Sequence, residues 1–274
     1  MDYCLKNNDI IVSESDFDLD ETLDCGQAFR WKKIESDFDC TYEGKFVNDY
    51  LKISQTKKGE FIFHNTSEKD FLEKWVDYFD FNTNYSELKK QFSEDETLSK
   101  ACSFAGGIRL LKQNSWECLI SFIISQNNNI PRIKGIINRL CDNYDERFPL
   151  PEELAGETPD SLSYLRSGFR AKYICDAATK VHSKETDLEK ISSLPIEDAR
   201  NELKKILGVG PKVAECVLLF GMHRTEAFPI DVWIKRVLAE YYPDGFPAFA
   251  RENAGIAQQY LFHYIRTGVE KNPS

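Results

Sequence analysis

The residues best suited to chemistry lie in one stretch, Ala199 to Glu240. A glycine-rich turn over residues 207–212, Leu-Gly-Val-Gly-Pro-Lys, joins two amphipathic segments there. Pro211 suits the first turn of the following helix, which puts Lys212 in that turn. The positive end of a helix dipole disfavours the charged form of an amine, and an uncharged amine can attack a carbon centre. This spacing predicts a nucleophilic lysine.

Two further features of this stretch are typical of DNA binding or of catalysis on DNA, and each also has a purely structural interpretation. Gly208 and Gly210 permit positive φ and let the backbone approach another molecule, and the free amides of a helix start can bind a DNA phosphate. A tight turn between packed helices would need the same glycines. Asp231 opens the next predicted helix, either as a plain N-cap or as a carboxylate that stabilises a developing cationic sugar or relays protons.

Other side chains outside this stretch could contact bases. Gln258 and Phe262 are four residues apart and share one helix face, so an amide that reads a base edge would sit beside a ring that stacks; Phe262 alone could equally be core. Asn127 begins a run of three asparagines that also reads as a polar turn. Arg132 and Arg170 suit base-edge hydrogen bonds or could be solvated surface charges.

Hydrophobic periodicity predicts which elements hold these residues. Before about residue 66 the pattern is short and alternating, with turn signals, and from Ser67 onward it becomes helical. We therefore expect an α+β protein: an antiparallel sheet domain with flanking helices at 1–105, then an all-helical, two-lobed body at 106–274, with a helix-hairpin-helix motif at 197–221. The predicted helices are 84–104, 115–126, 131–143, 158–166, 171–182, 197–206, 212–221, 231–242 and 250–266.

Charge and composition exclude several other classes. The 274 residues carry a net charge of −10, but residues 1–100 hold 13 basic and 23 acidic side chains and the rest hold 22 of each. The acidity, which argues against nucleic acid, thus belongs to the first third. The eight cysteines have no CxxC spacing and the four histidines no HExxH spacing, so we expect neither a disulfide scaffold nor a metal hydrolase.

Five motifs in order along the chain carry a family resemblance. They are CGQAFRW at 25–31, NSWECLISFIISQNNNIPRI at 114–133, GFRAKY at 168–173, the hairpin GVGPK with VAECVLLF and PID, and AGIAQQYLF at 254–262. The chain resembles the helix-hairpin-helix DNA glycosylases of the HhH-GPD superfamily and, over nearly its whole length, the 8-oxoguanine DNA glycosylases, most closely a bacterial member.

The resemblance implies a mechanism and a base pocket. Lys212 would attack the anomeric carbon of the damaged nucleotide, expel the base and leave a Schiff base that proceeds through β-elimination, with Asp231 assisting. Phe262 and Cys216 would lie on the two faces of the flipped base, and Gln258 would read its edge. The carbonyl of Gly26 would accept the ring hydrogen that 8-oxoguanine has and guanine lacks.

The resemblance also implies contacts to the rest of the duplex. Asn127 would enter the gap and contact the orphaned base, helped by Arg132 and Arg170, while Gly208 and Gly210 would approach the backbone. In two places the sequence departs from the better-known members: Trp233 stands where a histidine is usual, and Phe169, beside the orphan-base arginine, where a tyrosine is usual.

The expected partner is double-stranded DNA that contains 8-oxoguanine, bound by a monomer that has no membrane contact and requires no cofactor. A structural cation could bind at the hairpin carbonyls of Lys204, Ile206 and Val209. Absent targeting signals favour a bacterial cytoplasm, at the nucleoid, or a nucleus if the source is eukaryotic.

Two alternative functions stay open. One is a glycosylase for oxidised pyrimidines, whose relatives commonly carry an iron-sulfur cluster on four C-terminal cysteines. The other is a non-catalytic module that binds DNA backbone only.

Overall fold

Six strands form one sheet in the N-terminal part of the computed structural model, which describes residues 1–269. The strands are β1 Asp2–Lys6, β2 Asp9–Ser13, β3 Trp31–Ile34, β4 Cys40–Phe46, β5 Asp49–Lys57 and β6 Glu60–His64. Their order in the sheet is β1-β2-β6-β5-β4-β3, with antiparallel pairing. Helices follow from residue 68 onward, so the predicted α+β class is confirmed.

The remaining elements are helical segments, several of them short. Their bounds are Leu19–Leu23, Glu68–Asp70, Phe71–Trp75, Val76–Tyr78, Tyr85–Phe92, Glu96–Phe104, Ser115–Ser125, Ile130–Asp142, Pro151–Leu154, Ser161–Leu165, Arg170–His182, Leu188–Ser192, Ile196–Leu203, Pro211–Cys216, Val217–Gly221, Val232–Tyr241, Ala248–Asn253, Ala254–His263 and Tyr264–Val269. No helix in the part of the chain that the structure describes is long and apolar enough to span a bilayer.

The single helix predicted at 84–104 is wrong, because the chain breaks it into Tyr85–Phe92 and Glu96–Phe104. Asp95 lies between them in extended conformation, and its carboxylate accepts the Leu98 amide at 2.8 Å. An aspartate that caps a new helix start satisfies an otherwise orphaned amide, which favours a break over a continuous helix.

The chain divides into two compact units. The sheet unit comprises residues 1–45, 49–112 and the chain from Ile230 onward, and the helical unit comprises residues 46–48 and 113–229. In the sheet unit, alternate side chains of β2 and β6 are buried, as the period of two requires. They join an aromatic core in which the rings of Phe17 and Phe61 lie 4.6 Å apart.

The helical unit is organised around Ser115–Ser125, in which eight of the nine residues from Trp116 to Ile124 are buried. Its neighbours are Ile130–Asp142, Arg170–His182 and the helix that begins at Pro211. Asn114 caps it by accepting the amides of Trp116 and Glu117. The apolar run in the sequence is therefore the central helix of this unit.

A helix-hairpin-helix lies at the predicted place, as Ile196–Leu203 and Pro211–Cys216 joined by residues 204–210. Helix Arg170–His182 holds the loop by side chains: the Asp176 carboxylate accepts the Leu207 amide at 2.7 Å, and the Lys180 ammonium donates to the Lys205 carbonyl at 2.7 Å. Two side chains of helix Arg170–His182 thus hold the hairpin loop through hydrogen bonds to its backbone.

The two hairpin glycines have different roles. Gly208 has a φ of +81°, and a Cβ there would lie 2.4 Å from the Tyr173 ring. Gly210 has a φ of −92°, caps the second helix, and has open space where a Cβ would stand. The fold therefore requires glycine at 208, whereas at 210 it leaves room.

We predict that Gly208→Ala lowers the free energy of unfolding by about 2 kcal/mol or more, since an L-residue in this conformation costs about 1–2 kcal/mol and the new methyl meets the Tyr173 ring. Gly210→Ala is the matched control, with an expected change of less than about 1 kcal/mol. Urea unfolding of both variants tests this. Equal losses would show that the Tyr173 contact is not what fixes the turn.

Candidate active site

Lys212 is the second residue of the helix Pro211–Cys216, where sequence reasoning placed it. Its side chain is half-buried, and its Nζ lies 4.9 Å from the centroid of the Phe122 ring. Phe122 is itself stacked on Phe220 at 5.2 Å. Within the described residues the amine has neither an ion pair nor a hydrogen bond. The Lys212 amine therefore lies against an aromatic ring and is not tied to a carboxylate among the described residues.

Cys216 lies four residues after Lys212 at the end of the same helix and is 2% exposed. Its carbonyl accepts a hydrogen bond from the Cys118 thiol at 3.7 Å. Burial raises the pKa of the Cys118 thiol well above its usual value, so that thiol remains protonated and donates. The stacking of Cys216 on a base stays a prediction.

Asp231 caps the helix Val232–Tyr241 in the sheet unit, which confirms the structural interpretation. Its Oδ1 accepts the amides of Trp233 at 3.0 Å and Ile234 at 2.9 Å. Its other oxygen has no hydrogen bond or ion pair among the described residues. One oxygen therefore fixes the carboxylate and the other can face a substrate, so capping and catalysis are compatible.

Trp233, which replaces the usual histidine, has a defined neighbour in the structure. It is half-buried, and the Arg236 guanidinium lies 5.1 Å from its ring. The indole thus stacks with a cation one turn along the helix, in the geometry of a cation–π contact.

Three of the four residues predicted to contact the base belong to the sheet unit, whereas Cys216 lies in the helical unit. Gly26 has a φ of +91°, a conformation that favours glycine. Gln258 and Phe262 share the helix Ala254–His263, as their spacing predicts. Gln258 is 3% exposed, while Phe262 is half-buried with the Arg266 guanidinium 5.5 Å from its ring. Phe262 is therefore not a fully buried core residue.

Asn127 lies in the helical unit, at an exposed turn after helix Ser115–Ser125, with a φ of +46°. Asn129 caps the next helix and accepts the Arg132 amide at 3.0 Å. The side chain of Arg132 is exposed, and Phe169 is 48% exposed. Asn127, Arg132 and Phe169 therefore present side chains to solvent, as residues that contact DNA must.

Arg170 is 3% exposed, so the interpretation as a solvated surface charge is wrong for this residue. Its guanidinium donates to the carbonyls of Gln126, Asn127 and Ser167, the last at 3.0 Å. It also lies 4.5 Å from the Phe169 ring. Burial lowers the pKa of Arg170. In this structure Arg170 holds the Asn127 turn in place by its backbone, and its contact with an orphaned base stays a prediction.

Sequence reasoning missed two residues of the candidate site. Phe122, beneath the Lys212 amine, carries no signal, since it is one apolar residue within an apolar helix. Gln259 carries one: it is a second amide in the otherwise apolar GIAQQYLF, and it is 5% exposed with its Nε2 donating to the Gln258 Oε1 at 2.7 Å.

The described residues contain no group of three or more His, Cys, Asp or Glu side chains that could hold a metal ion. At the hairpin, the Ile206 carbonyl accepts the Val209 amide at 3.0 Å. The neighbouring Lys205 carbonyl already accepts from Lys180. A cation on the carbonyls of Lys204, Ile206 and Val209 stays a prediction.

We predict that Arg170→Ala lowers the free energy of unfolding by about 2 kcal/mol, because it removes the guanidinium that donates to the carbonyls of Gln126, Asn127 and Ser167. Arg132→Ala, at an exposed arginine of the same region, should change it by less than about 0.5 kcal/mol. Thermal or urea unfolding of the two variants measures the difference. Equal stability of both variants would contradict the role assigned to Arg170, which is to hold the Asn127 turn in place.

Comparison with known proteins identifies the family of the chain. The chain matches the model of the 8-oxoguanine DNA glycosylase N-terminal domain over residues 9–119 and that of the HhH-GPD superfamily base excision DNA repair protein over residues 120–245. A probable N-glycosylase/DNA lyase of Methanothermobacter thermautotrophicus is 30% identical, with 93% of this chain and 95% of that protein covered. The N-glycosylase/DNA lyase of Saccharomyces cerevisiae is 32% identical, covering 86% of this chain and 71% of that one.

A solved structure is similar in its fold as well. It is that of the Clostridium acetobutylicum 8-oxoguanine glycosylase/lyase in complex with double-stranded DNA containing cytosine opposite to 8-oxoguanine. It is 36% identical, covers 98% of this chain and 99% of its own, and has a TM-score of 0.87. On this evidence the chain belongs to the 8-oxoguanine DNA glycosylase family of helix-hairpin-helix base excision repair proteins.

Proposed function

We propose that this protein is a bifunctional DNA glycosylase that excises 8-oxoguanine from duplex DNA and then cleaves the strand at the abasic site. The observation that carries the proposal is the Lys212 amine: it stands at the start of the second hairpin helix, over the Phe122 ring, without a carboxylate partner. An uncharged amine in such a place is a nucleophile for a sugar carbon.

The first step is base excision. The damaged nucleotide leaves the base stack, at a cost of a few kcal/mol that recognition contacts must offset. The Lys212 Nζ forms a bond to C1′ while the bond from C1′ to the base breaks. The base leaves with that electron pair and takes up the proton that the amine sheds. Asp231 stabilises the positive charge that develops on the sugar, through the carboxylate oxygen not used in capping.

The second step is strand cleavage. Opening of the sugar ring gives an imine between Lys212 and C1′, which acidifies the hydrogens on C2′. Removal of one of these as a proton expels the 3′ phosphate with the electrons of the C3′–O bond. Water then hydrolyses the imine and returns Lys212 as a free amine.

The residues proposed to contact DNA are of types suited to this scheme. Asn127, Arg132 and Phe169 are exposed at the end of a central helix and the start of the next ones, and Gly210 leaves its helix start open to a phosphate. We propose that the protein acts as a monomer on chromosomal DNA, in the cytoplasm of a bacterium or the nucleus of a eukaryote.

Borohydride trapping tests the proposal, because reduction of an imine leaves a covalent protein–DNA band. Three duplexes are compared, carrying 8-oxoguanine, an oxidised pyrimidine or undamaged guanine. We expect a band with 8-oxoguanine alone. Lys212→Gln should abolish the band, and Lys190→Gln, at an exposed lysine of the same unit, should leave it unchanged.

Other outcomes of this experiment would contradict the proposal. A band with the oxidised pyrimidine and none with 8-oxoguanine would favour a pyrimidine glycosylase. Intact DNA binding with no band for any lesion would mean that Lys212 is no nucleophile and would favour a module that binds backbone only.

Binding should depend strongly on salt, even though the net charge is −10, since phosphate contacts release counterions. The acidic excess lies in residues 1–100, so the DNA-facing surface of residues 101–274 should be positive. We expect the Kd for duplex DNA to rise at least about tenfold between 50 and 200 mM salt. Titrations by fluorescence anisotropy measure it, and a flat response would exclude a basic DNA-facing surface.

A further inference from the structure

Two adjacent glutamines lie buried on the last long helix, Ala254–His263. Gln258 is 3% exposed and Gln259 is 5% exposed. The Gln259 Nε2 donates to the Gln258 Oε1 at 2.7 Å, a short amide–amide hydrogen bond. Buried amides are costly unless they are paired, so this bond constrains both side chains.

The other end of the Gln259 amide meets the loop that carries Gly26. The Cys25 thiol donates to the Gln259 Oε1 at 3.8 Å and to the Thr22 carbonyl at 3.3 Å. The Thr22 carbonyl also accepts from the Gln27 Nε2 at 3.0 Å, so the thiol shares that acceptor with a second donor, and the Gln259 Oε1 is the other acceptor within its reach. Burial raises the pKa of Cys25 to about 11, so the thiol is a donor at neutral pH.

The direction of this chain of hydrogen bonds fixes the Gln258 amide. Because the thiol donates to the Gln259 oxygen, the Gln259 nitrogen faces Gln258 and must find an oxygen there. The Gln258 Oε1 thus uses one lone pair to accept from the Gln259 Nε2. The Gln258 Nε2 makes no hydrogen bond within the described residues. The Gln258 Nε2 is not a fully buried atom that lacks a hydrogen-bond partner. Without Gln259 the terminal amide could turn over, since that torsion is broad and roughly two-fold.

The Gly26 loop is fixed at its other side by Gln27, which is 1% exposed. The Gln27 Nε2 donates to the Arg109 carbonyl at 2.7 Å, and its Oε1 accepts the Leu111 amide at 2.9 Å. Cys25 therefore links a rigid loop, which presents Gly26, to the helix that presents Gln258.

We propose that Gln259, oriented by Cys25, is a positioning residue that holds the Gln258 amide in one of its two orientations and so sets which base edge it accepts. This inference rests on the proposed function. It assigns no contact with the DNA to Gln259 or Cys25; both act through Gln258 and the Gly26 loop.

The test separates base reading from lysine chemistry. Gln259→Met keeps the size of the side chain and removes its hydrogen bonds. Single-turnover excision of 8-oxoguanine should fall about tenfold or more, while cleavage of a duplex with a preformed abasic site, which offers no base to read, should stay within about twofold of wild type. Cys25→Ser, which keeps a donor, should retain more excision than Cys25→Ala.

Tyr260→Phe is the matched control. It removes a buried hydrogen bond from the same helix, the one from the Tyr260 hydroxyl to the Ile108 carbonyl at 3.2 Å, without touching either glutamine. We expect a lower melting temperature with excision unchanged relative to abasic-site cleavage. If Gln259→Met instead lowers both activities together, as a merely structural role would, the inference is overturned.

The remaining outcomes distinguish this inference from the proposed function. Wild-type protein that excises 8-oxoguanine, with Gln259→Met equally fast, overturns the positioning role and leaves the function standing. Wild-type protein that cleaves abasic sites but excises no 8-oxoguanine overturns both.

Discussion

The site depends on one close contact, that of the Gly208 backbone with the Tyr173 ring. A side chain at 208 has no room there, and the left-handed φ of +81° turns the chain sharply enough to start a new helix at Pro211. Lys212 consequently lies in the first turn of that helix. The amine lies against the Phe122 ring and is not paired with a carboxylate among the described residues. Steric exclusion at one glycine thus fixes the position of a lysine four residues later.

Base recognition depends on a different kind of constraint, buried hydrogen bonds in the sheet unit. The loop at Gly26 and the helix at Gln258 are joined through Cys25 and Gln259. These amides are buried, and an unpaired polar group in the protein interior is costly. The groups that would discriminate one base from another are therefore preorganised, and no ordering cost falls on the bound state. In the helical unit, Arg170 does the same for the Asn127 turn by binding its carbonyls.

Local patterns predicted the parts of the molecule that local chemistry decides. The hairpin follows from glycines and a proline at fixed offsets, and the cap at Asp231 from an aspartate before a helix. Two differences between expectation and structure have different origins. The alternative of a surface charge at Arg170 fails because its partners, the carbonyls near Asn127, lie 43 and 44 residues away in the sequence. The break at Asp95 was missed because the apolar period continues across it.

The central claim is that the ε-amine of Lys212 forms the bond to the sugar. The most direct measurement is mass spectrometric mapping of the borohydride-reduced adduct formed with an 8-oxoguanine duplex, after digestion of both protein and DNA. The account predicts that the deoxyribose remnant is found on the peptide that contains Lys212 and on no other. A remnant on another lysine, or on the N-terminal amine, would contradict it.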